Sequence, residues 1–316
     1  MSVTEEIADY PSASLAGVPW ACPACGGSLA STFACGTCRA QVPMLADGRP
    51  DFRIHAPVKL SHVWEYDPTF GRFPWDRAST EWPDAGHEVR GSPVWDPIER
   101  AMIRAMPLAG RDEVKPFALD IGCGENRQRF REALTALGYR PLGLDIAGNA
   151  PDALADAHRL PLQDASVDLI VTSAVWEHLK HPHVAMNEVG RIAKPGARFV
   201  GSIAFGEPFH ISYFHHSPLA AYELAVSAGF EVDAIVLSDS YSALYAHMEM
   251  GAIGARIPRA FHGPIANGAR WLFLLPAALR GKEHLRKARF AFARSHAGAV
   301  GLVATKRRIE RRPAMG

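Results

Sequence analysis

Four of the five cysteines stand in one short segment as two C-x-x-C pairs. The first pair is Cys22 and Cys25, and the second is Cys35 and Cys38. Each pair places two thiolates on a tight turn, and two such turns supply the four-sulfur tetrahedral shell that Zn²⁺ prefers. Redox-active pairs are the alternative interpretation of this spacing. Because four protein ligands close the coordination shell, we expect a structural zinc ion and not a catalytic one.

A second reactive cluster is the histidine-rich segment 207–216, which contains His210, His215 and His216. It directly follows a predicted strand at 198–204, and ligands of parallel sheets bind at the carboxyl ends of strands. Histidine titrates near neutral pH and can remove a proton from a hydroxyl group. The segment therefore holds candidate catalytic bases. Packing against the next helix, or a metal site formed by the three histidines, are the alternatives.

His178, which follows Glu177, is the fourth candidate for a catalytic histidine. A structural role at the edge of a ligand site is the alternative for this residue.

A glycine loop with an acidic neighbour points to a cofactor site. Asp120 lies two residues ahead of Gly122, and Gly124 completes a G-x-G turn. Glycine lets a ligand approach the backbone closely. The dinucleotide-binding pattern requires another glycine at position 127, where this chain has Arg127. The carboxylate of Asp120 suits an amino-acid moiety and a sulfonium, whereas it would repel a pyrophosphate.

Two further acidic residues extend this site. Asp145 ends the next predicted strand and is placed to accept hydrogen bonds from ribose hydroxyls. Asp156 offers a third carboxylate that could face an adenine amino group. An ordinary surface carboxylate is the alternative for Asp156.

These motifs together resemble the class I S-adenosylmethionine-dependent methyltransferases, in particular the type 11-like group. The segments that carry the resemblance are 119–124, 143–145, 156–161, 166–170, 176–178 and 188–196. The resemblance implies S-adenosylmethionine as the cofactor and a Rossmann-like α/β fold with a seven-stranded sheet. The cofactor-binding residues it implies are Asp120, Gly122, Cys123, Gly124, Asp145, Ile146, Asp156, Ala157 and Ser173. Asn126 stands where the family often has a glycine, which could alter the turn into the following helix and with it cofactor binding.

Two shorter resemblances concern the cysteine-rich segment and the histidine-rich segment. Residues 18–53 resemble the zinc ribbons of small tRNA-methyltransferase activators, which are also fused to many bacterial methyltransferases. Segment 207–216 is similar to segments of zinc-ribbon methyltransferases encoded with glycan and surface-polysaccharide enzymes. The resemblance of segment 207–216 implies O-methylation of a sugar-containing acceptor, a surface glycan or a glycosylated natural product, with a histidine base, whereas the zinc-ribbon resemblance says little about the substrate.

Two other functions remain open. An RNA base methyltransferase is the first, although the segment after Ser173 lacks the Asn/Asp-Pro-Pro-aromatic motif of amino-group methylases. The aromatic region 54–110 is also not basic, which argues against a nucleic-acid partner. The second is a non-catalytic partner protein that binds the cofactor, or nothing, and stabilises another enzyme, which Asn126 alone favours.

The elements that must position these residues follow from strand and helix patterns that alternate over 111–306. The predicted strands are 117–121, 141–146, 168–173, 198–204, 231–237 and 297–305, and the predicted helices are 127–137, 183–193 and 218–228. We expect four regions: the zinc ribbon 18–53, an irregular linker or cap 54–110, the methyltransferase domain 111–306, and a basic tail 307–316. Residues 239–295 are too long for a simple connection and predict a helical insertion.

Composition predicts a cytoplasmic, globular protein without a transmembrane segment. The chain has 316 residues, of which 48% are hydrophobic and 21% charged, and its net charge is +1. The amino terminus lacks the pattern of a secretory signal, and the apolar run 271–279 is too short to span a bilayer. Basic residues follow that run, so 271–294 could contact an anionic membrane, track RNA phosphates, or simply form a solvated helix face. The oligomeric state stays open.

Overall fold

The computed structural model describes residues 15–53, 73–87, 97–110, 114–125, 128–238, 241–251 and 256–308. It confirms the predicted α/β fold, in which helices flank one mixed sheet. The strands are β1 (Ala78–Ser79), β2 (Phe117–Ile121), β3 (Arg140–Asp145), β4 (Ala153–Leu154), β5 (Val167–Ser173), β6 (Ala193–Ala204), β7 (Phe230–Leu237) and β8 (Ala299–Lys306).

The strand order across the sheet is β1-β7-β8-β6-β5-β2-β3-β4. All neighbours pair in parallel except β8, which is antiparallel to both β6 and β7. Strands β2 to β8 make up the expected seven-stranded sheet. The two-residue β1 adds an eighth strand at the β7 edge, which the sequence pattern did not predict.

The central strands are buried on both faces, as near-continuous apolar runs predict. All five residues of β2 are buried. Alternate side chains enter different cores, because successive side chains of a strand point to opposite faces. Leu119 and Ile121 pack into one core with Trp176, whereas Ala118 packs into the other with Phe130.

Seven α-helices are present among the described residues. They are α1 (Pro97–Ala105), α2 (Gln128–Ala136), α3 (Pro182–Ile192), α4 (Pro218–Ser227), α5 (Ala243–Met250), α6 (His262–Ala278) and α7 (Lys282–His296). Helix α4 begins with proline at its first position, and its cap Ser217 accepts a hydrogen bond from the Ala220 amide.

The boundary between α3 and β6 differs from the prediction. Helix α3 ends at Ile192, and β6 already begins at Ala193, so Lys194-Pro195-Gly196 lies inside the strand. The pairing of β5 with β6 shifts register between Val167 and Leu169. Such an irregularity leaves backbone groups unpaired, and a strand can therefore accommodate proline and glycine there.

The cysteine-rich segment packs against the β4 edge of the sheet. Its aromatic centre is Trp20, stacked on Phe52 with ring centroids 4.7 Å apart. Asp51 pairs in parallel with Leu154 of β4, and the Phe52 amide donates to the Leu154 carbonyl over 2.7 Å. The buried Arg49 donates to the carbonyl oxygens of Gly148 and Pro151 at 3.1 and 3.0 Å. The segment thus covers this edge of the sheet.

The segment predicted as an insertion contains helices α5, α6 and α7. The side chains of Trp271, Leu272 and Phe273 on α6 are exposed. None of the described helices has the length and apolar character needed to cross a bilayer. Contact of 271–294 with a membrane surface stays a prediction.

Candidate active site

A cavity of about 450 Å³ lies where the carboxyl ends of β2, β3 and β5 meet. This volume falls in the range of roughly 300–1,000 Å³ that is usual for small-molecule sites. Five of the predicted cofactor-binding residues line it, namely Gly122, Asp145, Ile146, Asp156 and Ala157. The sheet edge at which parallel strands bind ligands therefore carries the cavity.

The glycine loop after β2 requires glycine for two different reasons. Gly122 and Gly124 have φ angles of +69° and +62°, which side chains with a Cβ rarely adopt. A Cβ at Gly122 would also lie 2.2 Å from Cγ2 of Val175, whereas a Cβ at Gly124 would meet no atom within 4 Å. Gly122 is thus restricted by conformation and by space, and Gly124 by conformation alone.

Asp145 connects the end of β3 to this loop. Its Oδ2 accepts a hydrogen bond from the Gly124 amide at 2.8 Å, and its Oδ1 accepts one from the Ile146 amide at 2.7 Å. A carboxylate offers about four acceptor sites, so Asp145 can also accept hydrogen bonds from a ligand in the cavity.

Asp156 belongs to a hydrogen-bonded chain that the sequence did not reveal. The His181 amide donates to Nε2 of His158 over 3.1 Å, so Nδ1 carries the proton of the neutral ring. Nδ1 lies 2.6 Å from Oδ1 of Asp156, to which it donates. Burial favours a higher pKa for the Asp156 carboxyl, but the side-chain and backbone hydrogen bonds from His158 lower that pKa below its usual value.

Four predicted cofactor residues do not line the 450 Å³ cavity: Asp120, Cys123, Gly124 and Ser173. Asp120 instead lines a cavity of about 10 Å³ with Arg131. Its neighbour Ile121 lines the larger cavity, and the alternation of side chains along β2 accounts for this difference. Cys123 is buried, with its Sγ against the backbone of Gly143. Asn126 lies outside the described residues.

A second cavity of about 140 Å³ lies at the ends of β5 and β6. It shares Ala174 with the larger cavity, so the two are neighbours. Its polar lining residues are Glu99, Ser173, Ser202, Glu207 and Tyr241. The hydroxyl groups of Ser173 and Ser202 lie 3.2 Å apart. This lining can both donate and accept hydrogen bonds.

Three of the four predicted catalytic histidines form one cluster. The ring centroids of His178 and His210 are 5.1 Å apart, and those of His210 and His215 are 6.0 Å apart. His178 lines the larger cavity. The Tyr213 amide donates to the backbone carbonyl of Glu177 over 2.6 Å, which holds the histidine segment against the turn that carries His178.

Backbone contacts settle the tautomers of two of these rings. Nδ1 of His178 lies 3.1 Å from the Ile211 carbonyl, and Nδ1 of His210 lies 2.9 Å from the Pro208 carbonyl. A carbonyl oxygen can only accept, so both Nδ1 atoms carry protons. In the neutral rings each Nε2 therefore presents a lone pair.

His215 and His216 have different surroundings. Nε2 of His215 lies 2.9 Å from the Ser212 hydroxyl. Partial burial and the nearby ring of His210 lower the pKa of His215. His216 is buried, and burial, with smaller effects of His183 and His215, lowers its pKa to about 4. None of His210, His215 and His216 lines either cavity, but His216 alone of the three is buried, and its burial favours a structural role.

Glu177 was not predicted from the sequence as a functional residue. Its side chain is fully buried, and neither carboxylate oxygen has a described partner at full hydrogen-bond geometry. Burial raises the pKa of this carboxyl group, and the nearby backbone amides of Glu177 and Ala204 offset part of that effect. Oε1 lies 3.9 Å from Nε2 of His210.

The four cysteines of the two C-x-x-C pairs lie together and form no disulfide. Sγ of Cys22 is 3.6 Å from Sγ of Cys38, and Sγ of Cys25 is 3.5 Å from Sγ of Cys35. Four sulfurs at about 2.3 Å from a tetrahedral zinc ion would be separated by roughly 3.8 Å. The Cys38 amide, which points at Sγ of Cys35, lowers the pKa of the Cys35 thiol to about 6. The four thiols fit a zinc ion.

Comparisons with known proteins agree with the motif-based prediction. Residues 119–201 match the family model described as a methyltransferase domain. A stretch of 152 residues is 33% identical to a Mycolicibacterium smegmatis protein named "Probable S-adenosylmethionine-dependent methyltransferase", and it covers 40% of this chain and 54% of that protein. Another stretch of 107 residues is 34% identical to an uncharacterized 37.1 kDa protein of a Streptomyces fradiae transposon, with 29% and 30% of the two chains covered.

The chain thus spans about a third to about half of the lengths of these two relatives. Among solved structures, an S-adenosylmethionine-dependent methyltransferase from Mesorhizobium loti aligns with a TM-score of 0.39 at 16% identity, over 66% of this chain and 96% of that one. The matched family segment contains the glycine loop, Asp145 and Asp156, which are the parts of the cavity wall that the sequence predicted.

Proposed function

We propose that this protein transfers a methyl group from S-adenosylmethionine to a hydroxyl of a sugar-containing acceptor. The use of S-adenosylmethionine is supported by the 450 Å³ cavity. Gly122, Asp145 and Asp156 line this cavity, and all three lie within the segment that matches the methyltransferase domain. Asp145 would accept hydrogen bonds from the ribose, and Asp156 with Ala157 would contact the adenine.

The 140 Å³ cavity supports the choice of acceptor. It adjoins the cofactor cavity, and its carboxylates, hydroxyls and tyrosine suit a ligand that both donates and accepts hydrogen bonds. A sugar hydroxyl has this character. The cavity is small, so it would hold the reacting part of an acceptor whose remainder extends outward.

The residues of this chain have two tasks in the proposed reaction. S-adenosylmethionine, when bound, supplies the electrophilic methyl group. The chain must hold the acceptor hydroxyl in line with that methyl group and accept the hydroxyl proton. As the new oxygen–carbon bond forms, the carbon–sulfur bond breaks and its electron pair stays on sulfur. The proton passes to a histidine of the cluster His178, His210 and His215.

His215 is the best candidate for the base. Its lowered pKa keeps the ring neutral at physiological pH, and the Ser212 hydroxyl shows that Nε2 can engage an O–H group. Its ring is also in the same cluster as His178, which lines the cofactor cavity.

The four cysteines would bind one structural zinc ion within a zinc ribbon. Their sulfur separations fit a tetrahedral shell, and the surrounding segment packs on β4. Its position at the sheet edge supports a packing role for the ribbon.

Transfer of label from methyl-labelled S-adenosylmethionine into a fractionated extract of the source cells tests the proposal. We expect label in the glycan or lipid-linked fraction. Label in RNA would support the RNA base methyltransferase instead. Absence of label in every fraction would contradict methyl transfer, and calorimetry with S-adenosylmethionine would then test the non-catalytic alternative.

A further inference from the structure

We propose that Glu177, His178 and His210 bind one divalent transition-metal ion at the edge of the cofactor cavity. One potential ligand atom from each of the three residues lies within 4.8 Å of the other two. The three residues come from the turn after β5 and the segment after β6, which the hydrogen bond from the Tyr213 amide to the Glu177 carbonyl holds together. This site is separate from the four cysteines.

Both imidazoles are oriented as metal ligands usually are. Metal-bound histidines commonly donate their second ring N–H to a carbonyl or carboxylate, which fixes the ring and directs the other nitrogen at the ion. The Ile211 and Pro208 carbonyls accept from Nδ1 of His178 and His210 in this way. Each Nε2 is left to coordinate an ion.

The burial of the Glu177 carboxylate supports a bound cation independently of the histidine orientations. A buried carboxylate without a hydrogen bond or a counter-charge is costly, and such groups in folded proteins are normally paired or bound to metals. The side chain of Glu177 is fully buried, and neither oxygen has a partner at full hydrogen-bond geometry among the described residues, although the backbone amides of Glu177 and Ala204 lie near enough to offset part of the burial effect on its pKa. A cation placed between Glu177 and the two histidines would compensate this buried carboxylate.

The spacing also fits an intervening ion. The 3.9 Å between Oε1 of Glu177 and Nε2 of His210 is too long for a hydrogen bond. Two ligands at about 2.1 Å from one ion are separated by roughly 3.4 Å in a tetrahedral shell and by about 4.2 Å on opposite sides of it. A direct ion pair between protonated His210 and the carboxylates of Glu177 and Glu207, the latter 3.8 Å away, is the competing explanation.

The ligand set indicates the class of ion and its role. Two imidazoles and one carboxylate suit Zn²⁺, Fe²⁺, Co²⁺ or Mn²⁺, and three protein ligands leave coordination positions open. His178 lines the cofactor cavity, so an open position would be accessible to a bound acceptor. If the proposed O-methyl transfer is correct, the ion would lower the pKa of the coordinated hydroxyl and His215 would accept its proton.

Cobalt binding tests the site without cofactor or acceptor. The full chain, first given one equivalent of Zn²⁺ for the cysteines, is titrated with Co²⁺ while metal content and visible absorption are measured. We expect one further equivalent with the spectrum of nitrogen and oxygen ligands and no sulfur charge-transfer band. Glu177→Gln and His210→Ala should each weaken cobalt binding more than about tenfold. His284→Ala, which changes an exposed histidine on α7, should bind like the unaltered chain.

Each contrary result has a defined meaning. No second equivalent, or unchanged binding by Glu177→Gln and His210→Ala, would overturn the metal site and favour the ion pair. Thermal unfolding of each variant checks that it folds, and His210→Ala, on a partly exposed side chain, serves if Glu177→Gln does not fold. Because no methyl transfer is measured, failure of the proposed function would leave this result intact, and the reverse also holds.

Discussion

The Gly124 amide donates a 2.8 Å hydrogen bond to Oδ2 of Asp145 and so joins the glycine loop after β2 to the end of β3. The same carboxylate lines the 450 Å³ cavity that we propose for the cofactor. One side chain therefore shapes the loop and also remains available to a ligand. The two roles make Asp145 the residue whose replacement should affect cofactor binding most directly.

We expect Asp145→Ala to weaken S-adenosylmethionine binding by about 10- to 100-fold, since hydrogen bonds to a charged group contribute roughly 1.5–3 kcal/mol. Titration calorimetry measures this affinity. Asp164→Ala is the matched control, because Asp164 is exposed and pairs with Arg191 away from the cavity. Equal affinity in Asp145→Ala and the unaltered chain would contradict the assignment of this cavity to the cofactor.

The two loop glycines should respond differently to alanine. Gly124→Ala adds only left-handed backbone strain of about 1–2 kcal/mol, whereas Gly122→Ala adds the same strain and a clash with Val175. Urea unfolding should therefore show the larger loss of stability for Gly122→Ala. Val175→Ala in that background should restore part of the loss. Equal losses in the two single variants would show that Val175 does not restrict the loop.

His216 should make stability fall in mildly acidic solution. Its pKa is about 4 in the folded chain and near 6.5 when unfolded, so the unfolded state binds the extra proton. The contribution is complete above pH 6.5 and is lost as pH falls toward 4, by up to about 3 kcal/mol.

Urea unfolding at several pH values between 7 and 4 measures this slope. His216→Phe should flatten it, and His215, whose pKa is also lowered, should account for part of the remainder. An unchanged slope in His216→Phe would exclude His216 as the source.

Loss of the proposed histidine base should lower turnover without changing the affinity for the cofactor. We expect His215→Ala to reduce methyl transfer by about 10²- to 10⁴-fold, the usual contribution of acid–base catalysis. His210→Ala should also reduce it, because the His210 ring lies beside that of His215, and S-adenosylmethionine affinity should stay the same in both variants. Initial rates and calorimetry provide the two measurements, with His284→Ala as control. Full turnover in both variants would remove these histidines from the mechanism.

Cobalt substitution should distinguish the four clustered cysteines from the fifth cysteine, Cys123. In the cobalt-substituted chain, Cys22→Ser should lower the intensity of the sulfur charge-transfer absorption, because one of the four cobalt–sulfur bonds is removed. Cys123→Ser should keep it, because Cys123 lies beside Gly143 and outside the cluster. Unchanged intensity in Cys22→Ser would contradict a shell of four thiolates.

The sequence alone predicted those residues of the candidate site that belong to short local motifs. Gly122 and Asp145 were predicted because glycine lets a ligand approach the backbone closely and because the end of a parallel strand faces ligands. The position of Ile121, and not Asp120, on the cavity wall follows from the two-residue period of β2, a signal that the sequence reading did not use. The predicted roles of the cofactor residues stay predictions.

Other features depend on distant segments that meet only in the fold. The contact between His158 and the His181 amide joins residues with no shared motif. Glu177 and His210 approach each other because backbone hydrogen bonds hold two loops together. No pattern of side chains in the sequence predicts these bonds. The two-residue β1 has too little sequence for a strand pattern.

The pairing of Asp51 with Leu154 affects the tendency of this protein to self-associate. An uncovered edge strand is a template on which a second molecule can add its own strand, and natural sheets guard against this. Here the cysteine-rich segment occupies the β4 border, so the zinc ion proposed for its four cysteines would also protect this edge from self-association. Chelation should then produce light scattering before helix content is lost, and supply of metal would set how long the protein stays monodisperse.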